Sequence, residues 1–219
     1  MKNNQELQTD VQNAIKIEPL LHAAEIGVTV KDGIITLVGS VDSYAKKLEA
    51  ENAAKNVMGV KAIVENITVT INSMWKKDDN AIASEILNAL KWNWSVPNNT
   101  VTVKVENGWV TIGGEQHWNY QRVAAKNAVS NLLGVVGVTN NITIKGEAED
   151  KIEKEDIETA IARNWSINDE NIDVEVEQNN VTLSGSVSSY YQKEEAERLA
   201  WKVKGVWNVN NELTIDWID

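Results

Sequence analysis

Few residues in this chain have the type and spacing to do chemistry. Gly33 and Gly39 flank a short β-branched run in "VKDGIITLVGSV" (Val30–Val41), and paired glycines can let backbone N–H groups approach a phosphate. The spacing is not G-x-G-x-x-G and no Gly-Lys-Ser or Gly-Lys-Thr follows, so a tight hairpin explains the pair better than a nucleotide cradle. Carboxylates crowd "EKEDIE" around Glu153 and "KEEAE" around Glu194, and two acids can share acid–base work. Each run reads instead as an exposed helix start or helix face, with no nucleophile, metal ligand or oxyanion loop close by in sequence. There is no cysteine, and the two histidines, His22 and His117, stand far apart; disulfides, thiolates and zinc sites lose their usual material. No catalytic residue, metal or cofactor is expected.

The elements that carry these residues come from an internal repeat. "VKDGIITLVGSV" returns as "VENGWVTIGGEQ" (Val105–Gln116) and as "VEQNNVTLSGSV" (Val176–Val187). Gly33 to Gly59, Gly108 to Gly134 and Asn179 to Gly205 are each 26 residues, so the three registers hold without a gap. Upstream, Val11, Ala14 and Ile15 match Ile86, Ala89, Leu90 and Ile157, Ala160, Ile161, a helical spacing. Alternation follows, Val28 and Val30 before the turn and Ile35 and Leu37 after it, repeated in the other copies, which reads as a hairpin with one buried face. Ala50, Ala53, Ala54, Val57 and Val60 then mark a second helix, with Gly59, Gly134 and Gly205 suited to its C-terminal end. A last alternating strand holds Ile63, Ile67 and Val69. The expected fold class is α+β: three tandem α-β-β-α-β modules, at 1–71, 80–146 and 152–219, each a small mixed sheet with two helices packed on one face. The turn tolerates Asn179 in the third copy because asparagine accepts a positive φ.

A helix opening with Asp or Glu before Val or Ile, the "VxVxxGxVTLxGxV" hairpin, and an alanine-rich helix ending in "GV" before "NxIT" together resemble the BON domain, present three times over nearly the whole chain. The resemblance implies a non-catalytic α/β module associated with osmotic or envelope stress and proposed to bind phospholipid. A soluble scaffold or chaperone-like module that holds a protein partner is the alternative.

Charge separates the copies. Residues 1–71 hold 7 basic and 9 acidic side chains, residues 72–146 hold 7 and 5, and residues 147–219 hold 7 and 18. Anionic lipid attracts basic segments by about 1 kcal/mol per Lys or Arg near its surface, so the second copy is the expected membrane contact. Nucleic acid, which demands phosphate neutralisation, is not an expected partner. Asp173, Glu175 and Glu177 should be solvated on the outer sheet face of the third copy. Nine tryptophans accompany no phenylalanine. Only Trp94 and Trp165 recur at one module position and are expected in the shared core. Trp92, Trp109, Trp118 and Tyr120, with Arg122 and Lys126, are copy-specific and form the candidate lipid- or partner-binding set. Polar linkers at 72–80 and 146–151 are short enough that contacts between modules are expected. No apolar run approaches the roughly 18 residues of a membrane span and the first residues are polar, so the expected location is cytoplasmic, or periplasmic if a leader has been removed.

Overall fold

The computed structural model describes residues 3–21, 26–146, 152–167 and 171–216; His22 and most of the second linker lie outside them. The first copy runs α1 (Asn4–Ile17), β1 (Ile26–Lys31), β2 (Ile34–Val41), α2 (Tyr44–Lys55) and β3 (Ala62–Val69). The second repeats this as α3 (Asp79–Trp92), β4 (Val101–Glu106), β5 (Trp109–Gln116), α4 (Asn119–Ser130) and β6 (Gly137–Ile144). The third has α5 (Lys154–Ala162), β7 (Ile172–Glu177), β8 (Asn180–Val187) and α6 (Tyr190–Ala200), and its final strand is split into β9 (Asn208–Asn211) and β10 (Thr214–Ile215). The α+β reading of three α-β-β-α-β modules therefore holds. In every copy the middle strand lies between its hairpin partner and the last strand. The hairpins are antiparallel, and the last strands of the second and third copies run parallel to the middle one. A parallel neighbour needs a crossover, and the second helix supplies it.

Local chemistry starts the helices where the repeat places them. Asn3 and Glu6 form a reciprocal capping box on α1, with Glu6 N–H donating to Asn3 Oδ1 at 2.8 Å and Asn3 N–H to Glu6 Oε2 at 3.0 Å. Asp78 accepts from Ala81 N–H at 2.7 Å at the start of α3, and Ser189 accepts from Gln192 N–H at 3.2 Å before α6. The buried stripe of each first helix, such as Ile82, Ile86 and Leu90, packs with Val110 and Ile112 of the middle strand and Ala125 and Val129 of the second helix. Ile157 and Ile161 pack with Val181, Leu183, Ala196 and Ala200 in the same manner. Both helices cover one sheet face, and among the described residues the opposite face of each sheet is open.

The chain divides into two compact units, one comprising Met1–Gly39, Glu49–Ile67 and Ala148–Asp219, the other Ser40–Leu48 and Thr68–Glu147. Within the second unit, Tyr44 is buried in the core formed by the second copy, and Leu48 and Val69 pack against it. Within the first, Lys55 at the end of α2 binds Glu194 of α6 at 2.7 Å and Glu51 at 2.9 Å, with its ammonium 5.4 Å from the Tyr190 ring centroid. Tyr44, Leu48, Val69 and Lys55 are thus side chains that join one copy to another.

The second helices end earlier than the glycine signal suggests. Lys55, Ser130 and Ala200 close them, and Gly59, Gly134 and Gly205 follow four or five residues later. The glycines serve a different contact. A Cβ on Gly108, whose φ is +78, would stand 2.7 Å from the Gly134 carbonyl oxygen. The hairpin turn and the loop after the second helix therefore touch backbone to backbone, which the constant 26-residue spacing records. In the third copy Asn179 keeps the contact with its side chain, Nδ2 donating to the Gly205 carbonyl at 2.7 Å.

Candidate functional site

The hairpin glycines do bring amides to an anion, but the anion belongs to the chain. Asn107 N–H and Gly108 N–H donate to the two oxygens of the Asp79 carboxylate, at 2.8 and 2.9 Å. In the first copy Asp32 N–H donates to Asn4 Oδ1 at 3.0 Å. In these two copies the first turn of the first helix thus occupies the place a phosphate would need. Among the described residues no group of three or more His, Cys, Asp or Glu could hold a metal ion. No helix among them is long and apolar enough to cross a membrane.

The module position held by Ile34, Trp109 and Asn180 lies on the open face of each sheet, and the three open faces differ. The first presents Ile34, Val38 and Val64, all exposed. The third presents Asp173, Glu175 and Glu177 alternating with inward residues of β7, as expected of a solvated acidic face. On the second, Trp109 is 49% exposed and lies over Gly137, its cross-strand partner. Trp109 Nε1–H donates to Thr139 Oγ1 at 2.9 Å. A flat ring over a strand glycine covers backbone that no Cβ protects, so half of this tryptophan is structural.

Tyr120, Arg122 and Lys126 sit on α4, the helix that covers the other face of that sheet, and Trp118 immediately precedes it. Tyr120 is exposed and Arg122 and Lys126 are half-buried, flanking the buried Gln121 and Ala125. The Arg122 carbonyl accepts from Asn140 Nδ2 at 3.2 Å, and Trp118 N–H donates to Gln121 Oε1 at 3.0 Å. The structure places Tyr120, Arg122 and Lys126 on one helix with Trp118 at its N-cap, and Trp109 on the opposite side of the sheet. Trp92 stands apart from both, at the end of α3.

Trp94 and Trp165 require a correction: they are not core residues but are 91% and 96% exposed. Their turns are alike. Asn93 ends α3, Ser95 N–H donates to Asn93 Oδ1 at 3.0 Å, and Val96 N–H donates to the Asn93 carbonyl at 3.0 Å. After α5, Ser166 N–H donates to Asn164 Oδ1 at 3.0 Å and Ile167 N–H to the Asn164 carbonyl at 3.1 Å. The asparagine builds the turn, the tryptophan takes its apex, and the buried Val96 or Ile167 plugs the core. The four-residue pattern Asn-Trp-Ser-Val or Asn-Trp-Ser-Ile was the available signal, with the recurrent apolar role falling on its last residue. The corresponding turn of the first copy, Glu18–Leu21, closes by the same backbone bond at 3.0 Å, with Leu20 exposed and Leu21 buried. Trp92, 83% exposed, and the exposed Lys91 precede the second-copy turn, and the exposed Arg163 precedes the third-copy turn. Beside Lys91 lies an open groove of about 550 Å³ lined by Leu87, Leu90, Val96, Pro97 and Val101.

Glu195, on α6, is the most embedded carboxylate of the third copy's helix pair. Arg198 bonds it through Nε at 2.6 Å and through a second guanidinium nitrogen, and Asn164 Nδ2, from the Trp165 turn, donates to it at 2.7 Å. The Arg198 bond holds its carboxyl below the usual range against the opposing effect of burial, with Asn164 adding to the lowering. The Trp165 turn is therefore tied to α6 by a charged bond.

Against known proteins, the osmotically-inducible protein Y of Escherichia coli is 27% identical over 144 residues, covering 62% of this chain and 72% of that protein. CdsD, a structural protein of the type III secretion system of Chlamydia trachomatis, has a solved structure that is 16% identical, covering 96% of this chain and 92% of that one at a TM-score of 0.25, too low to carry an argument. The BON domain family matches residues 3–71, 78–146 and 149–216, and with all three modules accounted for, the chain belongs to the BON-domain family.

Proposed function

We propose that this protein is a non-enzymatic, osmotic-stress-associated binding protein that attaches peripherally to phospholipid through the tryptophan-bearing turns after its first helices. The likeness to the osmotically-inducible relative supports the stress association. The lipid reading rests on one observation: two modules hold a tryptophan at the apex of the same built turn, more than nine-tenths exposed, two residues beyond a second exposed tryptophan (Trp92) or an exposed cation (Arg163). A solvated indole forfeits the burial that would otherwise favour it, while its apolar ring and N–H suit the headgroup boundary. The second copy, with its +2 balance, is the leading contact. The third, at −11, is opposed by its own charge on an anionic surface.

Vesicle flotation with anionic and neutral phospholipid tests this. Binding to anionic vesicles that weakens with salt and is lost in Trp92→Ala/Trp94→Ala supports the site. Absence of binding at low salt ends the lipid reading, and binding that instead depends on Tyr120, Arg122 and Lys126 moves the contact to α4. A protein-partner reading is favoured separately by the open apolar face at Ile34, Val38 and Val64. Crosslinking from those positions in stressed cells, with no captured protein, would count against it.

A further inference from the structure

The chain holds a single Asn-Gly dipeptide, Asn107–Gly108, and it forms the entire two-residue loop between Glu106 and Trp109. Asparagine followed by glycine is the dipeptide most prone to spontaneous deamidation, because no side chain shields the following amide nitrogen. We propose that Asn107 is a latent deamidation site of this protein, held in check by the Asp79 carboxylate.

In the reaction the Gly108 backbone nitrogen attacks Asn107 Cγ. The N–Cγ bond forms, the Cγ–NH2 bond breaks, and ammonia leaves with the proton taken from the Gly108 amide. Water then opens the cyclic imide at either carbonyl, giving aspartate or an isoaspartyl linkage. No oxidant or reductant is needed. Asn107 is exposed to that water. The step requires the Gly108 nitrogen to shed its proton and turn toward its neighbour's side chain. In the structure that N–H points instead at Asp79 Oδ1, 2.9 Å away, and the Asn107 N–H at Oδ2, 2.8 Å away. A charged acceptor strengthens the bond that must break, and its negative charge opposes the developing anion on nitrogen. Carboxylate basicity lies far below that of an amide anion, so Asp79 is a poor base for the step.

The first and second modules carry opposite versions of the pair. Where the turn residue is Asp32, the helix supplies neutral Asn4; where the turn residue is Asn107, the helix supplies Asp79. Deamidation of Asn107 would create what neither module has, two carboxylates at one turn. An isoaspartyl link would also add a carbon to a loop whose length fixes the sheet register, displacing Trp109 from Thr139 on the open face.

The experiment follows conversion of Asn107 by peptide mass spectrometry in the folded full-length chain, in the same chain in denaturant, and in folded Asp79→Asn. Wild type should convert far more slowly folded than unfolded. Asp79→Asn should convert about tenfold faster than folded wild type, the factor expected for losing one charge-assisted hydrogen bond. Equal rates in folded and denatured wild type overturn the proposal, as does a folded Asp79→Asn that is no faster; a slower one would make Asp79 the base. Should Asp79→Asn not fold, a second measurement decides. Asn107→Asp should lower the unfolding midpoint, and Asp79→Asn with Asn107→Asp, which rebuilds the first-copy pairing, should restore it. An unfolded or unrestored double variant overturns the proposed pairing.

Discussion

Replacing Trp94 with alanine separates a membrane role from a packing role, because the ring touches almost nothing in the protein. At 91% exposure its loss removes no core contact, and the turn is built by Asn93 and Val96. Thermal unfolding should therefore shift by no more than about 0.5 kcal/mol. On a vesicle the same ring has much to lose. A tryptophan covers roughly 200 Å² when buried; if half of that enters the headgroup boundary, about 25 cal/mol per Å² gives about 2.5 kcal/mol, or roughly 70-fold in the partition constant. Lys91→Ala should cost about 1 kcal/mol, near fivefold, on anionic vesicles only. Titration of anionic and neutral vesicles, followed by flotation, measures both. Trp94→Ala binding as tightly as wild type would refute the assignment, and so would an equal loss from Trp109→Ala, whose ring already rests on Gly137.

Three further outcomes follow from the packing. Gly108→Ala places a Cβ against the Gly134 carbonyl at a φ of +78 and should lower the second copy's stability by about 1–3 kcal/mol in denaturant titration, whereas Asn179→Gly in the third copy should cost only the hydrogen bond to Gly205, about 1 kcal/mol. Gln116, 2% exposed, stands where the other copies have the buried Val41 and Val187, and its Oε1 has no hydrogen-bond partner; Gln116→Val should stabilise by about 1 kcal/mol, read as a raised urea midpoint. Glu195 has a depressed folded value, so the stability it adds is present above the ordinary carboxylate value of 4.5 and fades as pH falls through the lower folded value; Glu195→Gln should flatten acid unfolding of the third copy in that window.

The repeat made the fold legible because a three-times-repeated pattern separates what the backbone requires from what one copy happens to carry. Val110 and Ile112, Val181 and Leu183, and Ile35 and Leu37 are core in all three, and their alternation announced the face they share. The same comparison misled for tryptophan. Recurrence at one position marks a shared structural role, and for Asn93, Val96, Asn164 and Ile167 that role is turn-building and core-plugging; Trp94 and Trp165 recur beside them without packing at all. Periodicity could not reveal this, since the turn residue and the plug are three apart and the apex lies between them, outside either helical or strand phase. Nor could it show that Trp109 and the α4 residues occupy opposite sides of one sheet, because that depends on which face the second helix covers. Gly59, Gly134 and Gly205 resemble helix-ending signals by type, whereas Gly134 and Gly205 lie in loops that meet the hairpin turn across the module. Neither core burial nor the hydrogen bonds of the turn requires the indole at Trp94 or Trp165, which is why the proposed lipid contact is assigned to these two side chains ahead of the copy-specific aromatics.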